Sequence, residues 1–213
     1  MLTVHHLGKS QSERIVWLCE ELGIPYELRH YARAPVTMLA PPEFKALHPI
    51  GAAPVITDGA LVLAESGAIM EYILARHGGD RLALGPADPA FPDYLYWLHF
   101  ANGTLQPAMG RMMILGRLNL PADNPVLQAM QGRLDRALAL LEARLAAVPW
   151  LAGAEFTAAD IMITFSLTTM RYFRPVELGP YPAIRAYLQR IGGREAYRRA
   201  MAKGDPGMPL LLD

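Results

Sequence analysis

Residues 48–76 bring together the groups that could hold a small peptide carrying both an ammonium and a carboxylate. A strand entered by Pro54, and a second strand after it, offer backbone N–H and C=O groups for pairing with a peptide. The helix that follows opens with Glu65 and Ser66, and the free N–H groups and dipole of a helix start favour a carboxylate. Glu65 suits the neighbouring ammonium. The alternative is an ordinary helix cap with an acidic residue beside it.

A second candidate site is the polar loop Gly8–Ser12, which ends the first predicted strand. The hydroxyls of Ser10 and Ser12 can donate hydrogen bonds to an anion. Ser12 is also well placed to cap the helix that follows, a structural role that serines often have. Gly8 allows the loop to bend towards a ligand. Ser10 and Ser12 are therefore both candidate catalytic residues.

The cysteine and histidine residues predict neither redox nor metal chemistry. Cys19 is the single cysteine and shares an apolar helical stripe with Ile15 and Leu22, so we expect a buried structural thiol. The six histidines show no metal-ligand spacing, so we expect no metal. His5 and His6 are adjacent on a strand and should face opposite sides of the sheet.

Three stretches of the chain together resemble one known family. They are SQSERIVWLCEELGIPYEL after the first strand, IGAAPVITDGALVLAESGAIMEYI, and GAEFTAADI in the second half. In this order and at these separations they are similar to cytosolic glutathione S-transferases, and most closely to the bacterial and fungal branch with serines in the first loop. The resemblance covers essentially the whole chain and implies glutathione as the co-substrate.

The resemblance implies how the tripeptide is held. Pro54 would follow a cis peptide bond and turn Ala53 so that its N–H and C=O pair with the cysteinyl backbone of glutathione. Without the flanking motifs, Pro54 would merely begin an edge strand. Glu65 and Ser66 match the acidic–serine pair of the family, which implies that they bind the γ-glutamyl end.

The resemblance also implies that a hydroxyl after the first strand points at the bound sulfur. A free thiol has a pKa of ~8.5, and lowering it to about 6.5 requires stabilising the thiolate by roughly 2.7 kcal/mol. A hydroxyl donor, helped by a helix N-terminus, can supply that stabilisation. Ser10 aligns better than Ser12 by its distance from Arg14, so Ser10 is the preferred catalytic serine.

The chain departs from the family pattern at Ala52, where many relatives carry lysine or glutamine. In those relatives the side chain helps to hold the backbone or the glycine end of the tripeptide. Lys45, His48 and Arg33 are candidate replacements, and the sequence leaves the choice among them open.

The elements that would position these residues form two halves. In the first 77 or so residues, strand and helix signals alternate in the order βαβ and then αββα, which is consistent with a small mixed sheet covered by helices. The Asp58-Gly59 turn predicts a hairpin. Beyond the Gly- and Pro-rich stretch Gly78–Pro92 the apolar pattern is helical, as in Pro125–Ala147. Thr157 and Asp160 form a capping-box pattern.

These patterns predict an α/β domain followed by an all-α domain. The resemblance specifies a thioredoxin-like N-terminal domain over residues 1–80, a linker over 81–92 and an all-helical C-terminal domain over 93–213.

The composition excludes several classes of partner. Twenty basic and twenty acidic residues cancel, so the basic field that nucleic acids or anionic membranes require is missing. Apolar stretches such as Ile161–Met170 are far shorter than the ~18 residues of a membrane span, and the first residues do not read as a secretory signal. We therefore expect a cytoplasmic protein without nucleic-acid or membrane partners.

The resemblance implies a glutathione transferase that conjugates the glutathione thiolate to small hydrophobic electrophiles in detoxification, acting as a homodimer. The electrophile is expected along the helix that begins near Asp93. Five residues expected on that helix are Gln106, Met109, Arg111, Met112 and Met113. Alternative reactions of the same thiolate are peroxide reduction, dehalogenation and cis–trans isomerisation. A non-catalytic binding module is the remaining alternative, and Ala52 is a mild hint of it.

Overall fold

The structure is a computed structural model that describes residues 1–213. The chain divides into two compact units, the first made of residues 1–83 and 192–210 and the second of residues 84–191 and 211–213. The first unit is mixed α/β and the second is helical, which confirms the predicted fold class. No helix is both long enough and apolar enough to cross a membrane.

A four-stranded mixed sheet forms the centre of the first unit. Its strands are β1 (Leu2–Leu7), β2 (Glu27–Tyr31), β3 (Val55–Asp58) and β4 (Leu61–Ala64). They lie in the order β2-β1-β3-β4, with β1 parallel to β2 and with β3 antiparallel to β1 and β4. The predicted mixed sheet and the hairpin at Asp58-Gly59 are thus both present.

Nine α-helices surround or follow this sheet. They are α1 (Glu13–Leu22), α2 (Pro42–Lys45), α3 (Ser66–Ile73), α4 (Phe91–Phe100), α5 (Gln106–Leu115), α6 (Pro125–Ala147), α7 (Ala158–Leu167), α8 (Pro182–Gly193) and α9 (Glu195–Gly204). Gly23 ends α1 with φ 60°, a left-handed conformation that glycine adopts without steric cost. The last turns of the predicted helix Ser66–Arg76 are a π-helical segment, Leu74–Gly78.

Helix α9 lies in the first unit, whereas the sequence-based boundaries place it in the helical domain. Its apolar face packs on α1, where the rings of Trp17 and Tyr197 meet edge to face with centroids 4.8 Å apart. Arg194 adds two hydrogen bonds to the carboxylate of Glu21, at 2.6 and 2.8 Å. The C-terminal end of α9 is thereby held beside β1, which matters for the site below.

The second unit contains α4 to α7 and all but the last two residues of α8. The helix predicted to begin near Asp93 is observed as α4 and α5 joined by a π-helical segment, Ala101–Leu105. It begins at Phe91, inside the predicted linker. Helix α6 has the predicted bounds. At the start of α8, the Glu142 carboxylate accepts the N–H groups of Ala183 and Ile184 at 2.8 and 2.9 Å, which satisfies two donors of that helix start.

Asp160 is the centre of a buried network in the second unit. Its carboxylate accepts hydrogen bonds from the N–H groups of Leu151 and Thr157, at 3.0 and 2.9 Å, and from the Tyr187 hydroxyl at 3.1 Å. The predicted capping box with Thr157 is therefore present. Burial raises the pKa of Asp160 from 3.8 to about 6, although these hydrogen bonds oppose the shift.

Candidate functional site

Three predicted site segments meet at one edge of the sheet. Strands β1 and β4 both pair antiparallel with β3, and Val55 at the start of β3 lies opposite His5 and Ala64. The end of β1, the start of β3 and the end of β4 therefore lie side by side. The loop after β1, Pro54 and the start of α3 extend from these three ends.

The two candidate serines form one hydrogen-bonded pair. The Oγ atoms of Ser10 and Ser12 lie 2.7 Å apart, and the Ser12 N–H donates to Ser10 Oγ at 3.3 Å. Ser12 is fully buried, with its Oγ 2.9 Å from Nδ1 of His6 and 3.2 Å from the N–H of Leu7, which donates to it. Ser12 occupies the cap position of α1, but its hydroxyl makes no capping hydrogen bond because it contacts these groups instead.

Asp205, just after α9, holds the same loop from the other side. Its Oδ2 lies 3.1 Å from Nε2 of His6, and its Oδ1 accepts the N–H of Lys9 at 2.9 Å. Lys9 has φ 51°, an uncommon conformation for a residue other than glycine. A Cβ at Gly8 would lie 3.3 Å from Asp205 Oδ1, and Arg33 donates to the Gly8 carbonyl at 2.7 Å. The loop is therefore fixed by contacts on several sides.

Ser66 belongs to a polar cluster at the start of α3. Its hydroxyl donates to Oε1 of Gln11 at 3.1 Å, and Nη1 of Arg14 donates to the same oxygen at 2.9 Å. Arg14 Nη1 also lies 3.5 Å from Ser66 Oγ. Burial lowers the pKa of Arg14 to about 9, while the charge of Glu13 acts in the opposite direction. Arg14 is thus still cationic at neutral pH, and its charge and the helix start both favour a carboxylate here.

Glu65 precedes Ser66 in a strained conformation. Its φ is 75° and its ψ is 120°, although it is not a glycine and its side chain is exposed and caps nothing. Conformations of this kind cost on the order of 1–3 kcal/mol and occur preferentially at ligand sites. The strain is consistent with a carboxylate that is aimed at a ligand.

The peptide bond between Ala53 and Pro54 is cis, as the family resemblance implies. Pro54 is buried, and Ala53 is half-buried against a cluster that includes Leu7, Phe44 and Val55. The Ala53 side chain is thus turned towards the core at the point where β3 begins.

The three candidate replacements for the side chain missing at Ala52 differ in their contacts. Arg33 is engaged with backbone carbonyls of the first loop. His48 accepts a nearby backbone N–H through Nδ1 at 3.2 Å. Lys45 is exposed, and its Cγ would lie 3.7 Å from a Cβ at Gly51, so its stem runs beside the residue that precedes Ala52.

The other residues that the sequence analysis singled out, Cys19 and the residues expected on the helix after Asp93, differ in their burial. Cys19 is buried, and burial raises the pKa of its thiol to about 12, which matches the predicted structural role. Met109 and Met112 are buried, whereas Arg111 is exposed and Gln106 and Met113 are half-buried. No group of three or more histidine, cysteine, aspartate or glutamate side chains is placed to hold a metal ion.

Comparison with known proteins identifies the family. The family model of the glutathione S-transferase N-terminal domain matches residues 1–75, and that of the C-terminal domain matches residues 124–190. Glutathione S-transferase 3 of Schizosaccharomyces pombe is 30% identical over 216 residues, which cover 95% of this chain and 88% of the relative. This chain belongs to the glutathione S-transferase family.

Other glutathione S-transferases agree with this assignment. GstB of Escherichia coli K12 is 30% identical over 195 residues, covering 89% of this chain and 91% of that protein. A crystal structure of a glutathione S-transferase from Actinobacillus pleuropneumoniae is 35% identical, covers 96% of this chain and 93% of that one, and has a TM-score of 0.88.

Four residues of the candidate site of this transferase were not predicted from the sequence to be site residues. Gln11 lies inside the SQSER motif, and its position between the two serines was the only available signal. Arg14 falls among buried apolar residues of α1, where a charged residue is unusual. His6 and Asp205 are 199 positions apart, so only the packing of α9 brings them together.

Proposed function

We propose that this glutathione transferase conjugates the thiolate of glutathione to small hydrophobic electrophiles, with Ser10 as the residue that stabilises the thiolate. The observation that carries this proposal is the place of Ser10. It lies on the loop after β1, beside the start of β3 and near the helix start of α3, and its hydroxyl is the end of a hydrogen-bonded chain that begins deep in the protein.

The γ-glutamyl end would bind at the start of α3. The Ser66 hydroxyl, the first N–H groups of α3 and the cationic Arg14 suit its carboxylate. The exposed carboxylate of Glu65 suits its ammonium. The strained φ of Glu65 and the buried charge of Arg14 support this assignment, because both are costly to maintain in the absence of a function.

The cysteinyl residue would pair with the backbone of Ala53 as an added strand, and Lys45 would hold the glycine carboxylate. Lys45 is favoured over Arg33 and His48 because its ammonium makes no hydrogen bond or ion pair within the protein, and its stem lies beside Gly51. This arrangement leaves the cysteinyl sulfur on the side of the first loop.

Catalysis would then rest on positioning and on stabilisation of the sulfur anion. The Ser10 hydroxyl donates a hydrogen bond to the sulfur, which lowers its pKa towards about 6.5 and makes thiolate available at neutral pH. The thiolate attacks the electrophilic carbon, and with an aromatic halide the halide ion leaves as the new carbon–sulfur bond forms.

The decisive experiment compares wild type with Ser10→Ala in a conjugation assay with an aromatic halide. At pH 6.5 the variant should lose about 50-fold in kcat, because only ~1% of an unperturbed thiol is ionised there, against about half of a thiol with a pKa of 6.5. Its affinity for glutathione should change little. An unaltered kcat would remove Ser10 from the mechanism.

Ser166→Ala is the matched control, since Ser166 is a buried serine of the second unit whose hydroxyl makes no hydrogen bond. It should retain wild-type kcat. Calorimetry with glutathione completes the experiment: if no heat is detected and high glutathione gives no thermal shift, the protein is a binding module for something else and not a transferase.

We also propose that the enzyme acts as a homodimer. Exposed apolar side chains on both units, among them Val62, Tyr96 and Leu140, support a buried interface. Sedimentation at micromolar concentration should give twice the 23.5 kDa mass of the chain. A monomer under these conditions would rule out the dimer.

A further inference from the structure

A continuous chain of buried polar groups connects Asp205 to the first loop. In order, the contacts are Asp205 Oδ2 to His6 Nε2 at 3.1 Å, His6 Nδ1 to Ser12 Oγ at 2.9 Å, and Ser12 Oγ to Ser10 Oγ at 2.7 Å. His6 and Ser12 are fully buried, and the Asp205 side chain is only 10% exposed. Ser10, at the other end, retains a small exposure. The middle of the chain is therefore closed to solvent, and only its two ends keep a small exposure, 4% at Ser10 and 10% at the Asp205 side chain.

The protons of this chain can be assigned by counting donors and acceptors. The pKa of Asp205 is raised by burial but lowered more by the hydrogen bonds from His6 and from the Lys9 N–H, so it lies below its usual range. The carboxylate is thus an acceptor only, and His6 Nε2 must carry a hydrogen. In neutral His6 the other nitrogen, Nδ1, carries no hydrogen, so it accepts a hydrogen bond from the Ser12 hydroxyl.

The remaining contacts fix the direction of the serines. Ser12 Oγ accepts the N–H of Leu7 at 3.2 Å, and its contact with the Leu7 carbonyl is longer, at 3.4 Å. The Ser10 hydroxyl therefore donates to Ser12. Ser10 Oγ also accepts a hydrogen bond from the Ser12 N–H, which leaves one lone pair of that oxygen for a ligand. Before reaction, every hydroxyl points away from the ligand and towards His6.

We propose that His6 receives the proton of the glutathione thiol through the two serine hydroxyls, and that Asp205 holds the resulting imidazolium. This inference rests on the proposed role of Ser10. The thiol donates its proton to Ser10 Oγ, Ser10 passes its own proton to Ser12, and Ser12 passes its own to His6 Nδ1. No other reactant is needed: the S–H bond breaks, an N–H bond forms, and the electron pair stays on sulfur.

The product of this transfer is the arrangement that stabilises the thiolate. Each hydroxyl now points towards the ligand, so Ser10 donates to the sulfur anion, and the positive charge on His6 faces the Asp205 carboxylate. A free thiol has a pKa about two units above that of a free imidazolium, so the transfer needs the negative charge of Asp205. His6 and Asp205 are accordingly positioning residues, because neither touches the substrate.

Other charges near His6 come from neighbouring elements. The ring of His30 on β2 packs edge to face against it, with centroids 5.8 Å apart. The charges of Lys9 on the loop and of Arg33 after β2 both interact with Asp205. These are the groups whose titration has to be considered when the pH dependence is interpreted.

The test is the pH profile of bound-thiolate absorbance and of kcat/KM for His6→Gln and Asp205→Asn. His6→Gln keeps a donor for Asp205 and removes the proton acceptor. Asp205→Asn keeps the size and offers an amide donor, which forces the neutral imidazole to place its proton on Nδ1. Both variants should raise the midpoint of thiolate formation by about one unit and lower kcat/KM about fivefold at pH 6.5. Both should approach wild type near pH 9.

His5→Gln is the matched control, since His5 is the adjacent buried histidine on the other face of β1. It should leave the midpoint unchanged. If His6→Gln and Asp205→Asn also keep the wild-type midpoint while Ser10→Ala loses activity, this inference is overturned and the proposed function stands. If Ser10→Ala is fully active, the proposed role of Ser10 fails first.

A measurement on the wild-type enzyme covers the case in which the variants do not fold. Calorimetry of glutathione binding near pH 7, in buffers of different ionisation enthalpy, counts the protons released. If His6 keeps the proton of the thiol, far less than one proton should be released to the buffer for each thiolate formed. Release of a full proton would contradict the transfer.

Discussion

Asp160 in the helical unit and Asp205 in the α/β unit are both buried carboxylates, and they have opposite pKa shifts. Every donor to Asp160 is neutral, namely two backbone N–H groups and the hydroxyls of Thr157 and Tyr187, so burial prevails and raises its pKa to about 6. Asp205 faces the titratable ring of His6 and a backbone N–H, and its pKa is lowered despite burial.

The difference between the two networks lies in where they end. The network of Asp160 ends at Leu151, at Thr157 before its own helix and at Tyr187. We therefore expect it only to stabilise the fold. The network of Asp205 continues through His6 and two serines to a loop at the edge of the sheet. Only the Asp205 network therefore contains groups that can carry a proton to the first loop, as the proposed transfer requires.

Removing Asp160 should give the largest effect on stability. Asp160→Ala leaves the N–H groups of Leu151 and Thr157 without their buried acceptor, and each such group costs about 1–3 kcal/mol. Urea unfolding should show a loss of about 3 kcal/mol or more in the free energy of unfolding. The pH midpoint of thiolate formation in any folded fraction should not move, and a moved midpoint would show that the closed network communicates with the site.

The pH dependence of stability should have opposite signs for the two aspartates. Asp160 has a folded pKa above its unfolded 3.8, so its contribution is complete below about pH 4 and is lost as pH rises through about 6. The change is at most ~3 kcal/mol. Asp205 has a lowered pKa, so its contribution is present above pH ~4 and is lost as pH falls further.

Unfolding free energies of wild type, Asp160→Asn and Asp205→Asn between pH 3.5 and 7 would measure these contributions as differences. The wild-type advantage over Asp160→Asn should shrink as pH rises, and its advantage over Asp205→Asn should grow. If the free energy of unfolding changed with pH in the same way in all three proteins, the two carboxylates would not differ in their electrostatic contribution to stability.

Ser66 should affect binding more than stability, because its cluster with Gln11 and Arg14 lies at the position proposed for the γ-glutamyl carboxylate. Ser66→Ala should raise KM for glutathione about tenfold, the equivalent of one charge-assisted hydrogen bond of ~1.4 kcal/mol, with kcat nearly unchanged. Steady-state kinetics with glutathione as the varied substrate measures this split. An unchanged KM would place the γ-glutamyl carboxylate elsewhere.

Replacement of Lys203 should have the smallest effect on the free energy of unfolding. It pairs with Glu20 on the surface between α9 and α1, with its side chain half exposed. Lys203→Ala should cost less than about 1 kcal/mol in the free energy of unfolding, since exposed ion pairs contribute little. A larger loss would mean that this pair, and not the packing of Trp17 on Tyr197, attaches α9.

Much of this molecule follows from local sequence patterns. The strands of the first unit, the turn at Asp58-Gly59 and the bounds of α6 were predictable because periodicity and turn residues act within a few positions. The interruption of the long helix at residues 101–105 was not predicted. Gly103 within it and Pro107 after it weaken an α-helix, but they do not specify a π-helical segment.

The candidate site also has a part that could be predicted from the sequence and a part that could not. Ser10, Glu65 and Ser66 stand next to recognisable elements, so their types and places were legible in the sequence. The partnership of His6 with Asp205 depends on how α9 packs on α1, which is a tertiary contact without a local signature. A histidine on a strand gives no sign of what its ring nitrogens contact.

The most direct test of the account is the titration of enzyme-bound glutathione by thiolate absorbance in wild type and Ser10→Ala. The account predicts a wild-type midpoint about two units below the ~8.5 of a free thiol, and a return of most of that shift in the variant. Equal midpoints in the two proteins would contradict the claim that the Ser10 hydroxyl holds the sulfur as an anion.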